Sequence, residues 1–258
     1  MKASIITPTS ANRQIYFPGL YHCFKSQIYP DCELLILDDS PSGSEFFYEL
    51  NDPTVRYFHA GQAMTIGEKR NHLIEVATGE VIIHFDDDDY YAASYVSSMM
   101  ESLKLYDFVT LSGWYAYVLS RELFYYWDTT QFSKYFFDVR PNVELGMIST
   151  EGISPEEEHD WLESVLWGYG FSYSYRKSIA NQVAFDPVNF GEDLQFARKV
   201  KEAGYKVTHL LDQEGLALHI IHDRNTSRIL PQFSLPNFLL VQIFGLEIIG
   251  FLLAAQGE

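Results

Sequence analysis

The sequence predicts an α/β fold in which helices flank a mainly parallel central sheet. In the first hundred residues, apolar strand-like segments alternate with helical ones, which implies βαβ crossovers. Two of these strands end in adjacent aspartates, which places acidic groups where open α/β sheets bind ligands. The length of 258 residues and an apolar content of 47% suit one large domain or two halves that share a sheet.

The expected elements follow from local periodicity and turn residues. In the first part, we expect strands at 3–7, 33–37, 55–59 and 80–85, and helices at 18–27, 44–50, 67–77 and 95–106. In the second part, we expect one or two strands in 108–119, strands at 172–177 and 206–211, and a helix at 193–203 closed by Gly204. The acidic segment 150–159 is expected to be exposed.

Four consecutive aspartates, Asp86 to Asp89, follow the apolar strand segment that ends at Phe85. Carboxylates this close repel one another, and burying them unpaired is costly. A divalent cation with oxygen ligands would offset that repulsion, although a solvated acidic turn is the alternative interpretation. On the repulsion argument, replacing Asp88 or Asp89 by Asn should leave the fold intact or even stabilise it.

A second strand segment ends in the same way, at Asp38 and Asp39. If the two strands are parallel neighbours, both sets of carboxylates open into one crevice. Capping of the following turn, 40–43, is a second and compatible role for this pair.

Charge and cysteine content limit the partners and the compartment. The net charge of −17 argues against nucleic acid as a partner, because a nucleic-acid groove needs a basic surface. An anionic ligand would require a metal ion and local Arg or Lys. Two cysteines do not make a disulfide scaffold, and the start of the chain does not resemble a signal peptide. A cytoplasmic location is therefore the expectation.

The last part of the chain, 235–258, is an apolar tail. Glu247 near its centre disfavours a transmembrane span, since a carboxylate there costs about 3 kcal/mol on insertion scales. We expect a helix that packs on the core, on a second copy in a homo-oligomer, or flat on a membrane as a peripheral contact.

Five sequence blocks together resemble the family 2 glycosyltransferases, which have the GT-A fold. The blocks are the opening strand at 4–9, the strand that leads to Asp38 and Asp39, the stretch 67–80 with Arg70, the Asp run at 86–89, and Gly191-Glu192-Asp193. The resemblance implies a single GT-A domain at 1–234. Its Rossmann-like nucleotide-sugar half would be 1–110, and its acceptor and catalytic half 111–234.

The resemblance also implies a donor site and a metal site. The donor would be a nucleoside diphosphate sugar, with UDP most favoured and dTDP second, as in polysaccharide biosynthesis. Asp88 and Asp89 would bind Mn²⁺ or Mg²⁺, and a late histidine, His222, would be a third ligand, although a structural role for it is the alternative. Nucleotide contacts are expected from Thr7, Pro8, Thr9, Asp38 or Asp39, Arg70, Asp86 and Asp88.

For catalysis, the resemblance implies that Asp193 is the general base, that Glu192 orients the acceptor or the helix, and that transfer inverts the anomeric configuration. The acceptor would be a glycan or another hydroxyl compound. Asp193 as a plain helix cap is the structural alternative. Trp114, Trp127, Trp161 and Trp167 are candidates for stacking on an acceptor sugar, although large aromatics are commoner in cores.

Two other functions compete with this interpretation. One is a nucleotide- or glycan-binding module without catalysis, against which the Asp run and the Glu192-Asp193 pair argue. The other is a metal-dependent phosphohydrolase, which usually carries a nucleophilic Asp after its first strand. Here that strand ends in Thr7, Pro8 and Thr9 instead.

Overall fold

The computed structural model describes residues 1–140, 145–225 and 228–256. Its first half is a four-stranded parallel sheet in which β4 and β2 both pair with β1, and β3 pairs with β2. These strands are β1 (Ala3–Thr9), β2 (Cys32–Asp38), β3 (Val55–His59) and β4 (Val81–His84). Because β1 and β4 are parallel neighbours, the segments that follow them emerge at the same sheet edge.

Three helices connect the four strands in chain order: α1 (Phe17–Ser26), α2 (Glu45–Glu49) and α3 (Ile66–Val76). A fourth helix, α4 (Tyr95–Ser102), follows β4. Helix α3 begins with a capping box in which Thr65 and Glu68 bond each other's backbone N–H groups. Gly67 on its first turn lies against Asp186, so closely that a Cβ there would come within 1.8 Å of the Asp186 carbonyl oxygen. This contact holds α3 beside the loop that precedes the helix Glu192–Glu202.

The second half extends the sheet with strands of both directions. Its elements are β5 (Tyr90–Tyr91), β6 (Phe108–Val118), β7 (Leu123–Asp128), β8 (Tyr135–Asp138), β9 (Gly146–Ser149), α5 (Pro155–Trp167), β10 (Ser174–Arg176), α6 (Glu192–Glu202), β11 (Val207–Leu211), β12 (Ala217–Ile221) and β13 (Phe233–Leu235). The order across the sheet is β13-β7-β6-β10-β4-β1-β2-β3, with β11 and β12 parallel to β6. Strands β8 and β9 form a separate hairpin.

The sheet is buried on both faces. Val81 and Ile83 of β4 belong to one hydrophobic cluster and Ile82 between them belongs to another, as the alternation of a strand requires. Continuous apolar runs such as 34–37 of β2 are typical of strands covered on both sides. The predicted α/β class is confirmed.

Several elements differ from expectation. Helix α4 ends at Ser102 instead of 106. The exposed acidic segment belongs partly to α5, a helix that was not predicted. Segment 108–118, expected as one or two strands, forms one. The tail forms two helices, α7 (Phe238–Phe244) and α8 (Glu247–Gln256), rather than one. They are bent by 114° where Gly245 takes a positive φ.

The tail packs on the rest of the molecule through one face. Leu240 and Phe244 of α7 and Ile248 and Leu252 of α8 are buried in the larger core cluster. The other faces expose apolar side chains such as Phe238 of α7 and Leu253 of α8. Of the helices in the described part of the chain, none alone is long and apolar enough to cross a membrane. Only α7 and α8 taken together reach that length and apolarity.

Candidate active site

The Asp run lies where β4 ends, and three of its carboxylates converge. Asp86, Asp88 and Asp89 each offer an oxygen within 4.8 Å of the others. Asp88 and Asp89 are buried, whereas Asp86 is half-buried. Such a group of oxygen donors has the chemistry that Mg²⁺ and Mn²⁺ require.

Arg13, in the loop after β1, is the main cation against this run. Its guanidinium lies 2.5 Å from an Asp87 carboxylate oxygen and also contacts Asp88. Thr9 donates its hydroxyl to Asp87. Asp87 therefore binds both the end of β1 and the loop that follows it, through Thr9 and Arg13. Burial alone would raise the pKa of Asp88, but Arg13 and His222 hold it well below its usual value.

That finding reverses the expectation for Asp88→Asn. The ionised carboxylate of Asp88 is stabilised by Arg13, by the His222 ring at 2.8 Å and by the Asn225 amide at 3.2 Å. Removing its charge should therefore destabilise the folded state instead of relieving repulsion. Repulsion is felt at Asp86, whose pKa burial and the neighbouring Asp89 raise to about 7.

Two histidines from β12 and its end contact the Asp run in different ways. His219 donates from Nδ1 to Asp89 at 2.9 Å, while its buried Nε2 has no hydrogen-bond partner among the residues that the structure describes. His222 accepts the Arg224 backbone N–H at Nδ1, which puts the ring proton on Nε2, where it is donated to Asp88. Metal binding through Nε2 of His222 would require that proton to leave. Its role as a ligand stays a prediction.

A divalent cation fits these residues. The converging carboxylates supply hard oxygen ligands, and burial together with the neighbouring Asp89 disfavours the ionised form of Asp86, which a bound cation would favour. His219 also has the arrangement of metal-binding histidines, in which one ring nitrogen donates to a carboxylate and the other is free.

A first cavity of about 250 Å³ opens over the Asp run. Its walls combine the β1 loop, the start of α3 and the segment after β12, and they include Pro8, Thr9, Ser10, Arg13, Ile66, Lys69, Arg70, Asp86, Asp87, Asp88, His219, Arg224 and Asn225. Lys69 bridges the Thr9 carbonyl oxygen at 2.7 Å and the Asp39 carboxylate at 3.1 Å. The cavity thus carries local cations in a strongly acidic chain.

Five of the eight predicted nucleotide-binding residues line this cavity: Pro8, Thr9, Arg70, Asp86 and Asp88. The other three do not. Thr7 is fully buried and donates its hydroxyl to the Phe85 carbonyl oxygen, and Asp38 is fully buried among Ser40 and Tyr57. The physical reason is strand alternation and turn capping, which turn both side chains inward. Asp39 is half-buried and pairs with Lys69, which itself lines the cavity.

Arg70 and Glu192 form a buried ion pair at 2.6 Å. The guanidinium also lies over the Phe185 ring, 5.3 Å from its centroid. Arg70 is therefore not a surface charge. The pair ties α3 to the N-terminus of α6, which brings the first-half and second-half site residues together.

Asp193 lies on the first turn of α6 after Gly191, whose positive φ of 77° suits glycine. Its carboxylate accepts the Gly170 N–H at 3.1 Å and the Leu194 N–H at 2.7 Å. Burial and the nearby Glu192 outweigh Arg70 and raise the pKa of Asp193 to about 6. It is a carboxylate that can change protonation near neutral pH.

A second cavity of about 540 Å³ opens beside Asp193 and meets the first. Arg70, Asp86 and His219 line both cavities. The second is otherwise walled by Ser164, Val165, the segment 168–171, Asn189, Phe190, Glu192, Leu194 and Arg228. Phe190 is 84% exposed at its mouth.

The tryptophans do not line either cavity. Trp114, Trp127 and Trp167 are buried in the core, and Trp161 packs against Phe132 and Phe136. The exposed aromatic beside Asp193 is Phe190 instead. Sequence reasoning also missed Arg13, Lys69 and Gly170. Of these, only Arg13 carried a local signal, as a basic residue soon after the opening strand.

The sequence matches the family model described as glycosyl transferase family 2 over residues 4–154, which is more than half of the chain. The chain belongs to glycosyl transferase family 2. The matched range includes the Asp run, Asp39 and Arg70, and it ends before Glu192 and Asp193. Among curated proteins, none matches the chain.

Solved structures share the fold. Staphylococcus aureus TarS 1–349 aligns with a TM-score of 0.58 at 17% identity, over 85% of this chain and 60% of that one. The same TarS segment in complex with UDP-GlcNAc has a TM-score of 0.58 at 16% identity, over 88% and 60%. The mannosyltransferase PcManGT of Pyrobaculum calidifontis, in complex with GDP-Man and Mn²⁺, has a TM-score of 0.55 at 13% identity, over 84% and 56%.

These likenesses support a GT-A fold for a glycosyltransferase. The chain spans about 60% of the length of the TarS 1–349 chain and 56% of PcManGT. At such identities the match concerns the fold, and the substrates of those proteins remain their own.

Proposed function

We propose that this chain transfers a sugar from a nucleoside diphosphate sugar to a hydroxyl acceptor, with inversion and with dependence on a divalent metal. The observation that carries the proposal is the pair of adjoining cavities. One contains the Asp run and the other contains Asp193, and Arg70, Asp86 and His219 line both. A donor in the first cavity places its sugar at the junction, facing an acceptor in the second.

The first cavity has the groups that a nucleoside diphosphate needs. Arg13, Lys69 and Arg224 supply positive charge around it. Pro8 and Thr9, which line the cavity, and Asp39 beyond Lys69 would contact the nucleoside. Asp88 and Asp89, joined by Asp86, would hold Mn²⁺ or Mg²⁺. When bound, the ion would neutralise charge on the diphosphate leaving group.

In the second cavity, Asp193 acts as the general base. An acceptor hydroxyl loses its proton to the Asp193 carboxylate as its oxygen forms a bond to the anomeric carbon, and the bond from that carbon to the diphosphate oxygen breaks. If Asp193 delivers the acceptor oxygen to the face of the anomeric carbon opposite the diphosphate, the anomeric configuration is inverted.

The acceptor that suits the second cavity is uncharged. Both cations of its wall are already paired, Arg70 with Glu192 and Arg228 with Asp138, each at 2.6 Å. Asp193, Glu192 and Asp86 would repel a phosphate or a carboxylate. The exposed Phe190 ring offers a flat apolar surface for the C–H face of a sugar ring. A neutral glycoside meets both conditions.

For the donor base we propose uridine first and thymidine second. The TarS complex with UDP-GlcNAc is a fold relative with a uridine donor, although PcManGT holds GDP-Man. A thermal-shift panel of UDP, dTDP and GDP with and without Mn²⁺ tests this, because a ligand that binds the native state raises Tm. Tighter binding of GDP than of UDP and dTDP would contradict the base assignment.

Transfer itself is tested by incubating the chain with UDP-sugars, Mn²⁺ and neutral glycosides and following UDP release and product. A glycosylated product supports the proposal. Binding of UDP without any release of UDP would indicate a binding module, and inorganic phosphate release would indicate a phosphohydrolase.

A further inference from the structure

His84, the last residue of β4, is buried beside three aromatic rings, at 5.5–5.7 Å between centroids from Tyr173, Tyr175 and Phe185. A phenylalanine would fill such a site without the cost of burying polar nitrogens. The nitrogens are both used, however. Nδ1 lies 2.8 Å from the Gly170 carbonyl oxygen, and Nε2 lies 3.2 Å from the Tyr175 hydroxyl.

These contacts determine which ring nitrogen carries the proton. A carbonyl oxygen only accepts, so Nδ1 of His84 donates to Gly170 and Nε2 accepts from Tyr175. The backbone N–H of the same residue, Gly170, donates to the Asp193 carboxylate at 3.1 Å. Gly170 is thus held by His84 on its carbonyl side and holds Asp193 on its amide side.

The space around Gly170 is also closed. A Cβ at that position would lie 2.9 Å from Cβ of Asp193 and 3.1 Å from the Arg70 guanidinium. A second link reinforces the segment: the Tyr91 hydroxyl donates to the Phe171 carbonyl oxygen and accepts the Asp86 backbone N–H, both at 2.9 Å. The strand that carries the Asp run therefore fixes the segment that holds Asp193.

We propose that His84 is a positioning residue that sets the place of Asp193 through the Gly170 peptide. The proposal rests on the proposed role of Asp193 as base. Strand β4 would then have two roles: the Asp run follows it, and its last residue, His84, fixes the distance between the donor cavity and the base. Misplacing a reacting group by about 1 Å costs on the order of 10²-fold in rate.

The test compares two amide substitutions with different reach. Asn places its amide nitrogen near the position of Nδ1, whereas Gln places it near Nε2. His84→Asn keeps the donor to Gly170 and should retain a turnover close to wild type. His84→Gln loses it, and UDP release from UDP-sugars with neutral glycosides should fall about 10²-fold. UDP affinity with Mn²⁺ should be unchanged in both variants.

Equal turnover in the two variants would overturn the proposal, as would a loss that follows Tm or UDP affinity, because a packing role does not distinguish the two amides. If either variant fails to fold, the turnover of Gly170→Ala tests the proposal instead. This substitution keeps the N–H and C=O groups but crowds Asp193, so turnover should fall about 10²-fold. A wild-type rate there contradicts positioning. Full turnover in Asp193→Asn would instead refute the role of the base itself.

Discussion

Two carboxylates, one from each cavity, are stabilised in opposite ways. In the donor cavity, Asp88 is paired with Arg13 and bonded to His222, which hold its pKa well below its usual value in spite of burial. In the base cavity, Asp193 accepts two backbone N–H groups, and burial raises its pKa to about 6. Side-chain cations hold a charge in place, whereas burial with weaker donors lets a group exchange a proton. The difference separates charge stabilisation from proton transfer.

The largest effect is expected in the donor cavity. Asp88→Asn removes an oxygen ligand and breaks contacts with Arg13 and His222, so metal-dependent transfer should be abolished and Tm should fall. UDP release and thermal unfolding measure the two effects, and EDTA should abolish the wild-type activity in the same way. The exposed Asp160→Asn is the matched control and should change neither. Full wild-type activity in EDTA would contradict the assignment of the metal site.

The next effect concerns the base. Asp193→Asn keeps the shape of the side chain and removes its basicity, so turnover should fall by about 10²–10⁴-fold. Product analysis by NMR should find the anomeric configuration inverted in the wild type. A near-normal turnover in this variant, or a product that retains the donor configuration, would contradict the role of Asp193 as the general base.

Substitution of the neighbouring Glu192 should lower the stability of the fold. Glu192 is the buried partner of Arg70, and removing one member of a buried ion pair costs about 3–5 kcal/mol because the other charge is left uncompensated. Glu192→Gln should therefore lower the free energy of unfolding, measured by denaturant titration, whereas Asp193→Asn should not. An unchanged stability would mean that Arg70 finds another partner.

The pH dependence sharpens the comparison. The pKa of Asp193 is about 6, so its base form is lost as pH falls through that value. Turnover at saturating substrate should decline below about pH 6, by about tenfold per pH unit for a single group. The same raised pKa means that ionisation weakens the folded state, so Asp193→Asn should raise Tm at pH 8 and give no gain at pH 4. A flat rate profile between pH 5 and pH 8 would speak against Asp193 as the base.

The smallest effect is expected at Phe190. Phe190→Ala removes the exposed ring at the mouth of the base cavity and should raise KM for a neutral glycoside through a loss of about 1 kcal/mol, with kcat and UDP affinity unchanged. Exposed Tyr48→Ala, on α2, is the control. Higher affinity for a phosphorylated glycoside than for its neutral form would overturn the acceptor assignment.

Sequence patterns predicted the first half of the fold because its signals are local. The apolar runs of β1, β2 and β4, the turn residues between them and the aspartates that follow can each be recognised within about ten residues. The capping box Ser154 to Glu157 was an equally local signal for α5, and its neglect explains why that helix was missed. The two-helix tail depends on one glycine, Gly245, whose positive φ no periodicity indicates.

The site was harder to predict because its contacts connect distant parts of the chain. Arg13 meets Asp87 across 74 positions, and His84 meets Gly170 across 86. His219 and His222 both contact the Asp run, and only the geometry distinguishes the free nitrogen of His219 from the occupied ring of His222. Spacing identified the candidate carboxylates, and tertiary packing decides which of them hold charge and which exchange protons.

The central claim is that the two cavities divide donor binding from proton transfer, and calorimetric titration of UDP with Mn²⁺ into Asp88→Asn and Asp193→Asn tests it most directly. We predict that Asp193→Asn binds UDP as tightly as the wild type while its turnover is about 10²–10⁴-fold lower, and that Asp88→Asn loses metal-dependent binding. Loss of UDP binding in Asp193→Asn, or wild-type binding in Asp88→Asn, would contradict the division.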